Sequence, residues 1–219
     1  MGGTDHGVTV ADGMNVLYTA VMKETTAGNA AVGTRPPSAA RERLLTTASR
    51  LFYTEGIRAV GVDRVMAEAE VARGTFYRHF EGKDDLVRSY LEAKDMGIRT
   101  QVAAATRATG GGAALLHGIA HSIGEDVCGP GFRGCPFINA AAEYPQREHP
   151  VHQAVLAHRA WFHQVVEDAF RSVGHSEPEQ SAATMVALRD GAMVAGYLND
   201  AGAAARTMVH GAAMLIAAG

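Results

Sequence analysis

Residues 62–80, Val-Asp-Arg-Val-Met-Ala-Glu-Ala-Glu-Val-Ala-Arg-Gly-Thr-Phe-Tyr-Arg-His-Phe, restrict what this chain can fold into more than any other stretch. Apolar side chains stand at Val65, Met66 and Ala69, then at Val71, Phe76 and Phe80, a helical spacing broken once near Glu70. The pattern predicts two short helices joined by a tight turn. In such a pair the first helix braces the second, and the second can present its N-terminal residues to the major groove of DNA. The second helix is expected over residues 73–79. Arg73, Thr75, Tyr77, Arg78 and His79 can donate to phosphates or base edges, and Gly74 permits close backbone approach. Phe76 and Phe80, four apart, turn the other way into a small core.

The rest of the chain must be compatible with that pair. With 219 residues and 47% hydrophobic content it can bury a real core. A formal charge of -3 excludes bulk coating of nucleic acid, so DNA contact has to come from a local cluster such as Arg41, Arg43, Arg73, Arg78 and Lys83. Two cysteines, no cationic start followed by an apolar run, and no apolar stretch near the ~20 residues needed to span a bilayer lead to the expectation of a soluble, reduced, cytoplasmic protein without membrane contact.

Residues 1–37 lack sustained periodicity and end in Arg35-Pro36-Pro37, which predicts a poorly ordered extension; the alternative is an arm whose Arg35 reaches the minor groove. A helix over 38–55 follows, with Ser38 as cap, Gly56 as stop and an apolar face of Leu44, Leu45, Ala48, Leu51 and Phe52. Gly61 opens the next helix with Asp63 in its first turn. From Lys83 to Arg107 a long helix is expected, with Asp84 and Asp85 at its positive end and Leu86, Val87, Tyr90, Leu91 and Met96 buried. Helices over 113–127, 137–143 and 150–173 come next, set off by the glycines at 110–112, the loop 128–134, and Pro136 and Pro150. Ser176 with Glu179 reads as a capping box for a helix to Leu198, and Asp200 as the cap of the last. The fold class is all-α, about nine helices without strands.

The run Val71-Ala72-Arg73-Gly74-Thr75-Phe76-Tyr77-Arg78-His79-Phe80, followed by Gly82-Lys83-Asp84-Asp85-Leu86, resembles the DNA-binding segment of the tetracycline-repressor (TetR) family of transcriptional regulators. The likeness is dense over 38–92. Two departures stand out: Glu70 occupies a turn position where the family usually has Gly, and Ala72 a helix start where it often has Ser. A left-handed Glu70 and the missing cap each cost roughly 1 kcal/mol.

The resemblance implies a helix-turn-helix head over 38–82 and a helical ligand-binding and dimerisation domain over 83–219. It implies that Lys83 meets a phosphate of a double-stranded DNA operator. The expected function is that of a repressor on a palindromic operator, released when a small hydrophobic effector binds between the middle helices and shifts the spacing of the two heads of a homodimer away from that operator. The segment around Cys135 looks like one that lines such a cavity. Phe137, Asn139, Ala142, Trp161, Phe162 and His121 are candidate lining residues, apolar and aromatic with few polar groups. The last two helices are rich in alanine, glycine and methionine, among them Ala182, Met185, Ala192, Met193, Ala204, Met208, Ala212 and Met214. That composition suits a dimer interface, the alternative being packing within one chain.

No cofactor or enzyme signature is present: there is no Gly-x-Ser-x-Gly elbow, phosphate-binding glycine loop or His-Glu-x-x-His. His117, His121 and Glu125 share a helix face, but three ligands stacked over nearly two turns cannot reach one ion, so a solvent-facing wall is expected and no metal. Cys128 and Cys135 flank the glycine-rich loop, and Cys135 precedes a helix N-terminus that favours thiolate, so a thiol-based redox or electrophile sensor is the alternative function.

Overall fold

The computed structural model of the chain describes residues 38–198 and 200–219; the expected extension over 1–37, with Arg35, lies outside the described residues. Among the described residues there are nine helices and no strand: α1 Ala39–Glu55, α2 Val62–Glu68, α3 Arg73–His79, α4 Lys83–Thr109, α5 Gly112–Cys128, α6 Pro136–Glu143, α7 Pro150–Ser172, α8 Pro178–Leu198 and α9 Ala201–Ala217. α1–α3 form a small head, and α4 leads from it into a bundle in which α7 packs on α4, α5, α6 and α8, while α9 packs on α5 and α8.

The head folds as its spacing requires. Ser38 Oγ accepts from the Arg41 backbone N–H at 3.2 Å and opens α1, whose Leu44, Leu45, Ala48, Leu51 and Phe52 are buried. Phe76 and Phe80 are buried beside them, their ring centroids 5.7 Å apart. Truncating a buried Phe of this kind costs about 3–5 kcal/mol. Between α2 and α3 the Glu70 backbone sits at φ 52°, the one left-handed non-glycine among the described residues, and Ala72 opens α3 with no side-chain cap. Glu70→Gly therefore raises the stability of the head by roughly 0.5–1 kcal/mol, less than the full strain because glycine also loosens the unfolded chain. Thermal unfolding of the two proteins measures it.

α4 is 27 residues long, about 40 Å at the usual helical rise. Leu86, Val87, Tyr90 and Leu91 are buried, and the Tyr90 ring meets Phe52 edge-on at 5.9 Å, joining head to body. Met96, expected in the core, is 59% exposed. At that level the inward positions of α4 are Asp95 and Arg99, which face α7, and this phase turns Met96 to solvent. The capping box at Ser176 is not used either. α8 starts two residues later at Pro178, and the ring of buried His175 accepts from the Glu177 N–H at 3.1 Å instead.

In the last two helices much of the small and methionine content serves the chain's own packing. Ala182, Met185, Ala192, Met193, Ala204, Met208 and Ala212 are buried within one chain. A Cβ at Gly196 would overlap Val127, so α8 approaches α5 as closely as backbones allow. What faces outward is a second stripe: Ala183, Ala187, Gly191, Val194 and Leu198 on α8, with His210 and Met214 on α9.

Candidate functional site

α3 presents a short row of donors. Arg73, Gly74, Tyr77 and Arg78 are exposed, Thr75 and His79 half-buried. The Arg73 guanidinium lies 5.6 Å from the Tyr77 ring centroid and 3.4 Å from Asp63, and Tyr77 stands edge-on to Phe76 at 5.1 Å. The buried Phe76 thus fixes the helix, and Tyr77 beside it is exposed. A Cβ at Gly74 would meet no atom of the chain within 4 Å, so the open space there is available to an outside surface.

The flanking candidates are partly engaged. His79 Nε2 lies 2.8 Å from Ser38 Oγ, tying the end of α3 to the start of α1, and the Arg41 guanidinium lies over the Phe80 ring at 5.2 Å. Arg43 Nε donates to the Ala69 carbonyl at 3.1 Å, closing the end of α2. Its role as a free phosphate donor is accordingly reduced to the guanidinium's remaining N–H groups. Lys83 Nζ is 3.4 Å from the Arg58 carbonyl, and partial burial lowers its pKa against the pull of Glu143 and Asp84.

A second constellation lies between α4, α6, α7 and α8. The Phe137 ring stacks on His158 at 3.7 Å with 4° between planes, and Trp161 and Phe162 continue the aromatic layer. His158 Nδ1 is 2.7 Å from Asp95 Oδ1, and Arg99 Nε donates to Asp95 Oδ2 at 2.6 Å. Burial pushes the His158 pKa down and outweighs the nearby carboxylate, so the ring is neutral at pH 7. Arg189, 8% exposed, donates to Asp190 Oδ1 at 2.7 Å and to Cys135 Sγ at 3.3 Å. Burial works against its charge, and the hydrogen bonds to Cys135 and Asp190 favour it.

α6 connects this cluster to the head. At its C-terminus the Glu143 carboxylate accepts from the backbone N–H groups of Ile57 at 2.9 Å and Arg58 at 2.6 Å, and Arg58 Nη2 donates back to the Glu143 carbonyl at 2.7 Å. Just before its N-terminus, the hydroxyl of Tyr53 on α1 donates to the Gly134 carbonyl at 3.0 Å and accepts from the Arg133 N–H at 2.9 Å. Beyond it, the Tyr144 hydroxyl donates to Asp84 at 2.8 Å. A helix of eight residues is thereby fastened to the head at both ends while Phe137 points into the aromatic layer.

Of the residues expected to line an effector site, Cys135, Phe137, Trp161 and Phe162 come together here. Three do not. His121 is exposed on α5, on the side away from Leu116 and Ile123. Asn139 and Ala142 are exposed because Phe137 and Ala140 take the inward face of α6; the Asn139 amide braces the Arg133 carbonyl at 2.9 Å. His117 and Glu125 are exposed along α5 with His121, and among the described residues no group of His, Cys, Asp or Glu could hold a metal ion. Both cysteines are free thiols with different partners, exposed Cys128 against the Ala201 carbonyl and buried Cys135 against Arg189. Asp95, Arg189 and Glu143 escaped the sequence reading. The one signal for them was charge placed on the same helical phase as core residues.

Comparison with known proteins bears on the fold and the family. The family model of bacterial regulatory proteins of the tetR family matches residues 44–90, and that of the tetracyclin repressor-like C-terminal domain matches residues 129–211. The HTH-type transcriptional regulator LmrA of Bacillus subtilis is 28% identical over 149 residues, 67% of this chain and 79% of its own length. The crystal structure of SCO4454, a TetR-family transcriptional regulator from Streptomyces coelicolor, is 49% identical, with 81% of this chain and 94% of that one covered at a TM-score of 0.78. The regulatory protein TetR from Rhodobacter sphaeroides, at 20% identity, shares the fold over 83% of this chain and 99% of its own, with a TM-score of 0.69. No described helix is long and apolar enough to cross a membrane. With a helix-turn-helix head matched by one model and a helical body matched by the other, this chain belongs to the TetR family of ligand-responsive, DNA-binding transcriptional regulators.

Proposed function

We propose that the protein is a cytoplasmic homodimeric repressor that holds a near-palindromic operator through α3 of each copy and lets go when a small molecule enters the α4–α6–α7–α8 cluster. The observation that carries this reading is α6. Its Phe137 is stacked in the cluster, and its Glu143 is bonded to the α1–α2 turn of the head. A molecule that displaces Phe137 moves a helix fastened to the reading head, so the two occupancies compete for one conformational equilibrium. The outward stripe of Ala183, Ala187, Gly191, Val194 and Leu198 with Met214 supports dimerisation through α8 and α9. Dimerisation sets two heads about one turn of DNA apart. The groups offered to DNA are Arg73, Gly74, Thr75, Tyr77 and Arg78, with Arg41 and Lys83 beside them, phosphate contacts fixing register and base contacts giving specificity. Selection of bound fragments from random and genomic DNA tests the reading. A two-fold symmetric site is expected to emerge, and the absence of any enriched sequence sinks it.

A further inference from the structure

We propose that the effector is a planar aromatic anion, a carboxylate or phenolate whose charge is received by Arg189 in place of the Cys135 thiol. The inference rests on the effector site proposed above and adds its chemistry. A buried guanidinium is a multiple donor with no acceptor and needs strong acceptors around it. Arg189 has half of one carboxylate: it bonds Asp190 Oδ1 at 2.7 Å, while Arg159 Nη2 takes Asp190 Oδ2 at 2.6 Å. Its other bond goes to Cys135 Sγ at 3.3 Å, and a thiol is a weak acceptor.

The other charges facing the cluster do not correct the imbalance. Both oxygens of Asp95 are taken, one by His158 and one by Arg99, and Asp126 on α5 faces the opposite charges of Arg189 and of Lys94 on α4. His158 is buried against Phe137 and donates from Nδ1 to Asp95. The guanidiniums of Arg99, Arg159 and Arg189 therefore hydrogen-bond to two carboxylates whose every oxygen already accepts from the protein, and with Lys94 and Asp126 included four cations face three carboxylates. A cationic ligand adds to the excess of positive charge. An anion supplies the acceptor that Arg189 lacks.

The surroundings select shape. Arg189 lies over the Phe162 ring at 5.4 Å and Arg99 over the Trp161 ring at 4.2 Å, so the charges are sandwiched against flat aromatic faces. Phe137 and His158 stack nearly parallel, the arrangement a flat ring can enter by parting them. That entry shifts α6, which links ligand charge to the head.

Trp161 is the chain's single tryptophan and reports on the site directly. The experiment titrates full-length protein with benzoate, salicylate and 1-naphthoate against benzamide, 1-naphthamide and benzylamine while following Trp161 fluorescence. The acids are expected to bind saturably and about tenfold or more tightly than the amides, with the amine weaker still. Cys135→Asp, which supplies Arg189 with an internal carboxylate, is expected to weaken the acids by a similar factor and leave the amides unchanged. Arg189→Met should erase the acid–amide difference. Circular dichroism checks both variants for folding, and should either fail, the comparison of acids with amides on the unaltered protein decides alone. Amides or the amine binding as tightly as acids, a flat response across the acids, or acid binding indifferent to a folded Cys135→Asp each overturn the proposal. Failure of the parent reading looks different: acids bind at Trp161 yet never release the operator.

Discussion

Tyr77→Ala lowers affinity for the selected operator by roughly tenfold to a hundredfold while leaving folding almost untouched. Tyr77 is 48% exposed on the open side of α3, and what it touches within the chain is the edge of Phe76 and the Arg73 guanidinium. Losing the ring removes the contact to DNA proposed for Tyr77 and also releases Arg73 from its place over the ring. Phe76 keeps its burial, and the melting temperature stays within a few degrees of the parent. Anisotropy of labelled operator with thermal unfolding in parallel separates the two effects. A variant that melts early would mean that Tyr77 supports the head rather than reads DNA.

Glu143→Ala is expected to separate ligand binding from DNA release. Its carboxylate receives two successive backbone N–H groups of the α1–α2 turn, and without it those donors turn to water, while the Arg58 guanidinium keeps its bond to the backbone carbonyl at position 143. The loss of stability is about 2 kcal/mol, the size typical of hydrogen bonds to a charged group. Effector binding seen at Trp161 should persist, because Phe137, His158 and Arg189 are unchanged. Operator release should need far more effector or fail altogether. Release at the parent's effector concentration would show that the signal travels by another route, with α4 the first alternative because Tyr90 joins it to Phe52.

The head was legible in the sequence because one rule controls it. Helical spacing with a single break specifies which of the residues 62–80 face inward, and the resemblance, with Gly usual at the turn, implied the left-handed conformation in which Glu70 is found. The body was legible only as an order of helices. Its glycines and prolines set the boundaries, but the rotation of one helix against the next depends on neighbours distant in sequence. Asn139 and Ala142 were assigned to the cavity although Phe137 and Ala140, on the opposite phase of the same helix, are the buried pair. His121 failed for the same reason on α5. Arg189 and Asp95 read as ordinary solvated helical charges, and only the meeting of four helices makes them the polar centre of a buried cluster. The small residues of α8 and α9 carry two meanings at once, close packing on α5 inside the chain and an outward stripe suited to a second copy.

The central claim is that α3 reads a specific DNA sequence. Fluorescence anisotropy of the selected palindrome against the parent protein and Tyr77→Ala, at two salt concentrations, tests it most directly. Tight binding by the parent is expected, weakened but not abolished at the higher salt, with much poorer binding by the variant at both. Equal binding by the two proteins, with only a salt-dependent background and no preference over scrambled DNA, would contradict it.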